Sequence, residues 1–323
     1  MAGPSRGSRK SRRGHSGMRV VVVGAGGIGA PLGASLAVAD NDVTFLARGA
    51  HLAAMREHGL RIEGDRGETH LLPTQATDDA GTIGPVDLVL FAVKLWDIER
   101  AGEQIRPLMG AGTAVIPLQN GVDASERLVP ILGAAHVLGG VGLVTGTIVA
   151  PGVVRQSGQH HRVTFGELDR RISGRCEAIR DACRAAGIDA ILAEDIQRVR
   201  WEKFIVLAAS SGVCAAARTA IGRLRGDPEG WALIEGAMRE VFAVGIAAGV
   251  ALDAAIIETW LGFLQGVPDN WTPSMAVDVM NGRRLELPWL AGKVVALGRD
   301  LGVPTPLHAA INAVLRPYTE GIA

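Results

Sequence analysis

Arg19-Val20-Val21-Val22-Val23-Gly24-Ala25-Gly26-Gly27-Ile28-Gly29 is the most informative stretch of the chain. Four consecutive valines form an apolar, β-branched run that favours a buried strand. The run stops at Gly24 and opens into a G-x-G-x-x-G pattern. Residues 28–39 beyond it are small and helical in composition, with Pro31 in a first turn where a missing N–H costs little. A glycine-rich turn between a strand and a helix is the context that makes this pattern a dinucleotide site. Gly24 permits the tight turn, Gly26 lets a pyrophosphate approach the backbone, and Gly29 lets helix and strand pack closely. Ala25, Gly27 and Ile28 complete the loop, and the phosphates sit at the positive end of the helix.

Working outward, strands and helices alternate. Residues 43–47 read as a strand, 50–57 as a helix ended by Gly59, and 60–63 with 69–72 as a hairpin across Gly64-Asp65-Arg66-Gly67. Residues 86–93 and 113–118 are further apolar strands, and 137–165 read as several strands broken by glycine and proline. This alternation predicts a parallel, doubly wound sheet. From Asp195 the period changes. Residues 196–217, 228–248, 254–264, 290–301 and 306–318 carry helical apolar patterns, punctuated by Gly226-Asp227-Pro228, Gly266-Val267-Pro268 and Gly302-Val303-Pro304. The expected fold is α/β: an N-terminal Rossmann-type doubly wound sheet over 18–193, then a C-terminal all-helical domain over 194–323. Residues 1–17 read as a disordered basic tail, with a basic arm for an anionic partner as the competing reading.

Composition narrows the function. The 323 residues are 48% apolar and 20% charged, which is ordinary globular usage. Lys plus Arg and Asp plus Glu are both 33, so no global charge grips nucleic acid or an anionic membrane. The 43 glycines are nearly twice the usual share and have no collagen period. The three cysteines form no C-x-x-C pair, and Cys176 and Cys183 are too far apart on one helix for a disulfide, which fits a reducing, cytoplasmic compartment. The longest uncharged run, 137–154, holds glycines and a proline and does not read as a membrane span. The eight histidines include no H-E-x-x-H, so no metal is expected. G-x-S-x-G and Walker A patterns are absent, and the single tyrosine, Tyr318, rules out a Tyr-x-x-x-Lys reductase.

The second strand runs Val43-Thr44-Phe45-Leu46-Ala47 into Arg48, where an NAD site usually carries a carboxylate for the ribose 2′-OH. A guanidinium pairs bidentately with a 2′-phosphate, so NADPH/NADP+ is the expected cofactor. The competing reading of Arg48 is a solvated strand-end charge.

Taken together, Val-Val-Gly-Ala-Gly-Gly-Ile-Gly (22–29), Phe-Ala-Val-Lys (91–94), Leu-Gln-Asn-Gly (118–121), Arg-Trp-Glu-Lys (200–203), Pro-Ser-Met (273–275), Asp278, Gly282-Arg283 and Glu286 form an ordered set. In order and spacing the chain resembles the ketopantoate reductase (2-dehydropantoate 2-reductase) family across residues 18–316. The resemblance implies an oxidoreductase that reduces a small branched 2-oxo acid with NADPH. The substrate it points to first is 2-dehydropantoate, giving (R)-pantoate for pantothenate and coenzyme A synthesis. It makes Lys203 the general acid, with Glu286 on the substrate's hydroxyl side or orienting Lys203. Ser274 would hold the substrate carboxylate, Asn120 would lie beside nicotinamide and substrate, and Lys94 near the cofactor. Each has a plainer reading: a snorkelling lysine, a surface ion cluster with Arg283 and Arg284, a helix cap, an Asn-Gly turn and a solvated strand end.

The chain also departs from the family. Leu207 stands where an asparagine usually faces the substrate, one turn beyond Lys203 on the same helical face. Pro288 and Ala291 replace a usual Asp and Asn. Part of the polar pocket has become apolar, which favours either a rebuilt pocket, for which Ser210 and Ser211 are candidates, or a paralogue acting on a more apolar 2-oxo acid or ketone. A non-catalytic NADP-binding regulator is the third possibility. The expected partner is a small molecule, and a homodimer is the default assembly.

Overall fold

The computed structural model describes residues 17–322, so the expected tail lies, apart from Gly17, outside the described residues. Strand β1 (Arg19–Val23) lies at the centre of a five-stranded sheet. Around it run β2 (Asp42–Leu46), β5 (Ala76–Thr77), β6 (Leu88–Phe91) and β7 (Ala114–Pro117), all parallel, in the order β5-β2-β1-β6-β7. The four valines alternate between two cores. Val20 and Val22 face a cluster with helix α1 (Gly29–Val38), while Val21 and Val23 face helices α3 (Ile98–Gln104) and α4 (Ala124–Leu132). Period-two burial on both faces is what a doubly wound sheet demands.

A second sheet corrects the reading of residues 137–165. They form two long antiparallel strands, β8 (Gly139–Ala150) and β9 (Val153–Gly166). Strand β9 also pairs with β3 (Leu60–Gly64) and β10 (Asp189–Leu192), and β3 with β4 (Thr69–Leu71). Pro151-Gly152 turns the chain between β8 and β9, but the glycines within β8 are not turns. A Cβ on Gly139 would meet Ile196 at 2.6 Å, and one on Gly140 would meet the Pro117 carbonyl at 2.5 Å. They let the sheet pack backbone-close to its neighbours. Helix α1 lies between the two sheets, and α2 (Gly49–His58) and α5 (Gly174–Ala185) flank them.

The C-terminal part is helical, as expected. Helix α6 (Ile196–Ala217) starts where Asp195 accepts a hydrogen bond from the Arg198 amide at 3.0 Å. Then come α7 (Ile221–Arg225), α8 (Pro228–Ala247), α9 (Ala255–Gly266), α10 (Ser274–Met280), α11 (Ala291–Leu301) and α12 (Pro306–Leu315). Proline opens α8, where Asp227 caps, and left-handed Gly302 (φ +71°) ends α11. One continuous apolar cluster fills this part, with Phe204, Ile205, Met238, Val241 and Leu290 at its centre. Among the described residues no helix is long and apolar enough to cross a membrane.

Candidate active site

Strands β1, β6 and β7 end side by side, and the loops that follow them build the site at the carboxyl edge of the sheet. After β1, Gly24 turns with φ +93°, and a Cβ on it would meet the Ala92 carbonyl at 2.8 Å. A Cβ on Gly29 would clash with the Gly24 carbonyl, and one on Gly27 with the Gly146 backbone. Gly26 alone among the loop glycines has open space before it. The loop is thus closed everywhere except where a pyrophosphate would approach, and the helix α1 N-terminus lies behind it. These residues fit a dinucleotide.

His51 of α2 braces this loop. Its ring accepts from the Gly152 amide at 3.0 Å through Nδ1, so Nε2 carries the proton and donates to the Ala25 carbonyl at 2.9 Å. Burial holds its pKa below the usual histidine value, which keeps this neutral tautomer. Nothing in the local sequence signals His51, because its partners are distant in the chain.

Gln119 fixes the loop after β7. Its Nε2 donates to the Phe91 and Val93 carbonyls, each at 3.0 Å, and so sets the position of the adjacent Asn120. Lys203, on the first turns of α6, reaches across to this loop. Its Nζ donates to Asn120 Oδ1 at 3.1 Å and to the Gly142 carbonyl at 2.9 Å. Lysine only donates, so the Asn120 oxygen faces it and the Asn120 NH2 group is left to donate elsewhere. Gly142 in turn lies beside Ile28, whose side chain is 3.5 Å from where a Gly142 Cβ would be. Lys203 therefore stands next to the glycine-rich loop. Burial lowers its pKa to about 8, against the opposing pull of Glu286.

Glu286 is buried and makes no hydrogen bond to Lys203. Its Oε1 accepts from the Leu95 amide at 3.2 Å, and its Oε2 lies 3.6 Å from Lys94 Nζ. Asn120 and the Gly142 carbonyl do the hydrogen bonding to Lys203, and Glu286 acts on it through its charge. Nor does it join Arg283 and Arg284, which pair with Asp278 (3.7 Å) and Glu320 (3.1 Å). Lys94 lies three residues past the end of β6, half-exposed, with Asp278 at 4.0 Å and the Trp96 ring centroid at 5.7 Å. Burial raises the pKa of Asp278, and Lys94 opposes this.

Ser274 is the first residue of α10 and is exposed. The cap position belongs to Pro273, so Ser274 is not a cap. It shares a helical face with Asp278. Leu207 is half-buried and packs on the helical core. Of its two polar candidates, Ser210 donates to the Val206 carbonyl at 2.6 Å within its own helix, while Ser211 is fully buried with no partner for its hydroxyl. Ala291 is fully buried and Pro288 exposed. Arg48 precedes α2, exposed, with its guanidinium 3.0 Å from Asp97. Among the described residues no group of three or more His, Cys, Asp or Glu could hold a metal ion.

The family description "Ketopantoate reductase PanE/ApbA" matches residues 20–170, and its C-terminal counterpart matches residues 195–319. A 2-dehydropantoate 2-reductase of Mesorhizobium japonicum is 30% identical, covering 93% of this chain and 97% of that protein. An uncharacterized oxidoreductase of Bacillus subtilis is 26% identical, covering 93% and 99%. The crystal structure of 2-dehydropantoate 2-reductase from Geobacter metallireducens superposes with a TM-score of 0.86 at 31% identity, covering 93% and 99%.

Proposed function

The chain belongs to the ketopantoate reductase family, pyridine-nucleotide-dependent oxidoreductases acting on CH–OH groups, and we propose that it reduces a small branched 2-oxo acid with NADPH. The substrate proposed is 2-dehydropantoate and the product (R)-pantoate, a step of pantothenate synthesis. One observation carries the reading: an ammonium withdrawn from water, held by Asn120 and the Gly142 carbonyl beside the glycine-rich loop.

A nicotinamide cofactor held by the glycine-rich loop would supply a hydride for the substrate's carbonyl carbon. Lys203 supplies the proton to the carbonyl oxygen. Its pKa of about 8 leaves it protonated at neutral pH, yet lets it release a proton more readily than a solvated lysine would. Its charge also stabilises negative charge growing on that oxygen. Asn120, its oxygen engaged by Lys203, turns its NH2 group toward the reacting atoms. Glu286 keeps the charged form of Lys203 favoured and holds Lys94. Arg48 would take the 2′-phosphate and Gly24 to Gly29 the pyrophosphate, while Ser274 would hold the substrate carboxylate. After turnover Lys203 is neutral and regains its proton from water.

A second reading has its own observation. Leu207 presents an apolar side chain one turn from Lys203, and Ser210 spends its hydroxyl within its own helix. A more apolar 2-oxo acid or ketone would suit that surface. Under either reading Lys203→Ala lowers kcat by about two or more orders of magnitude without loss of fold. Retained activity would remove Lys203 from its role.

A further inference from the structure

Asp97 stands at the cap position of helix α3 but does not cap it, since its carboxylate makes no bond to that helix's amides. Instead it lies between two guanidinium groups. Oδ2 accepts from Arg48 Nη2 at 3.0 Å, and Oδ1 from Arg100 Nη2 at 2.6 Å. Its own amide donates to the Lys94 carbonyl at 2.9 Å, which fixes the turn. The Asp97 side chain is only 15% exposed, whereas that of Arg48 is 69% exposed. The carboxylate is thus the fixed member of the pair and the arginine the free one.

The second strand of a dinucleotide-binding sheet ends at the adenosine ribose, where a carboxylate usually accepts from a 2′-OH. No carboxylate follows β2 in sequence. One arrives there from the loop after β6, beside the arginine itself. We propose that Asp97 sets the cofactor preference of this chain, making it able to bind NADH as well as NADPH. This rests on the reading of Arg48 as the residue facing the 2′ position. With NADH bound, Asp97 accepts a hydrogen bond from the 2′-OH and keeps its pair with Arg48. With NADPH bound, Arg48 swings to the 2′-phosphate, but Asp97 remains as a like charge that offsets part of the gain. Specificity is a difference of affinities, and a repulsive group lowers it as surely as an attractive one raises it.

Fluorescence titration of NADPH and NADH into the purified chain and its variants tests this without any substrate. The wild type is expected to bind both, with dissociation constants within about tenfold of each other. Asp97→Asn tightens NADPH and weakens NADH, so their ratio widens by about tenfold. A merely structural role would move both cofactors alike, leaving the ratio unchanged, and that result would overturn the proposal. Arg48→Ala separates the two layers of the argument. If it weakens NADPH while Asp97→Asn leaves the ratio unchanged, Arg48 keeps its role and Asp97 loses its own. If it leaves NADPH affinity unchanged, the reading of Arg48 falls and the proposal falls with it.

Discussion

Lys203 shows how a residue's surroundings reset its hold on a proton. Withdrawing an ammonium from water disfavours its charged form, and the nearby Glu286 restores part of what is lost. The balance, about 8, gives a prediction with a definite sign. If Lys203 is the proton donor proposed above, kcat/KM with the 2-oxo acid stays level at neutral pH and falls as pH rises through about 8. Glu286→Gln removes the charge that favours the ammonium, so the limb moves to lower pH. A profile that stays level to the ordinary lysine range would contradict this. Lys203 and Asn120 were legible in the sequence through the motifs that contain them. His51 and Asp97 were not, since their partners come from other strands and helices. Glu286 stood out in the sequence, but its pairing with Lys94 and the Leu95 amide did not.

Elements were legible where one pattern ran unbroken. Residues 196–217 carry a helical period to their ends, and α6 spans the same residues. The loop-to-helix turn at 24–29 was equally clear, because Gly24, Gly27 and Gly29 each answer a separate steric demand while Gly26 faces open space. Residues 137–165 do break at Pro151-Gly152, but the glycines of β8 were also read as breaks, whereas they serve close packing between sheet and neighbours. Strand β9 also carries a buried histidine that ties the second sheet to α1. His161 donates from Nε2 to Ser35 Oγ at 2.9 Å and accepts from Gln156 Nε2 at 3.3 Å through Nδ1, a neutral ring. Burial, helped by the charge of Arg66, lowers its pKa from 6.5 to about 4. The unfolded chain binds this proton more readily than the fold does. Stability from this residue is therefore complete above about pH 6.5 and is lost as pH falls toward 4, by up to about 3 kcal/mol. Thermal melts across that window are expected to fall less steeply for His161→Asn than for the wild type. Equal slopes would contradict the assignment.

On the scale of the whole molecule, the site exists only where the two parts meet. Lys203 comes from the helical part, and its partners Asn120 and Gly142 from the α/β part. The same seam holds Arg200 paired with Glu126 at 2.7 Å, Lys293 with Asp123 at 2.9 Å, and Trp96 against Trp289 with ring centroids 6.5 Å apart. The glycine-rich loop and Lys203 are thus brought together by contacts far apart in sequence. That is why the existence of both parts was readable from periodicity while the geometry between them was not. The most direct test of the account follows the loss of NADPH absorbance in the purified protein, with 2-dehydropantoate and, beside it, 2-oxoisovalerate. Rapid oxidation with 2-dehydropantoate is the result the account predicts. NADPH binding with negligible turnover of 2-dehydropantoate would contradict it and give the site around Leu207 to a more apolar substrate.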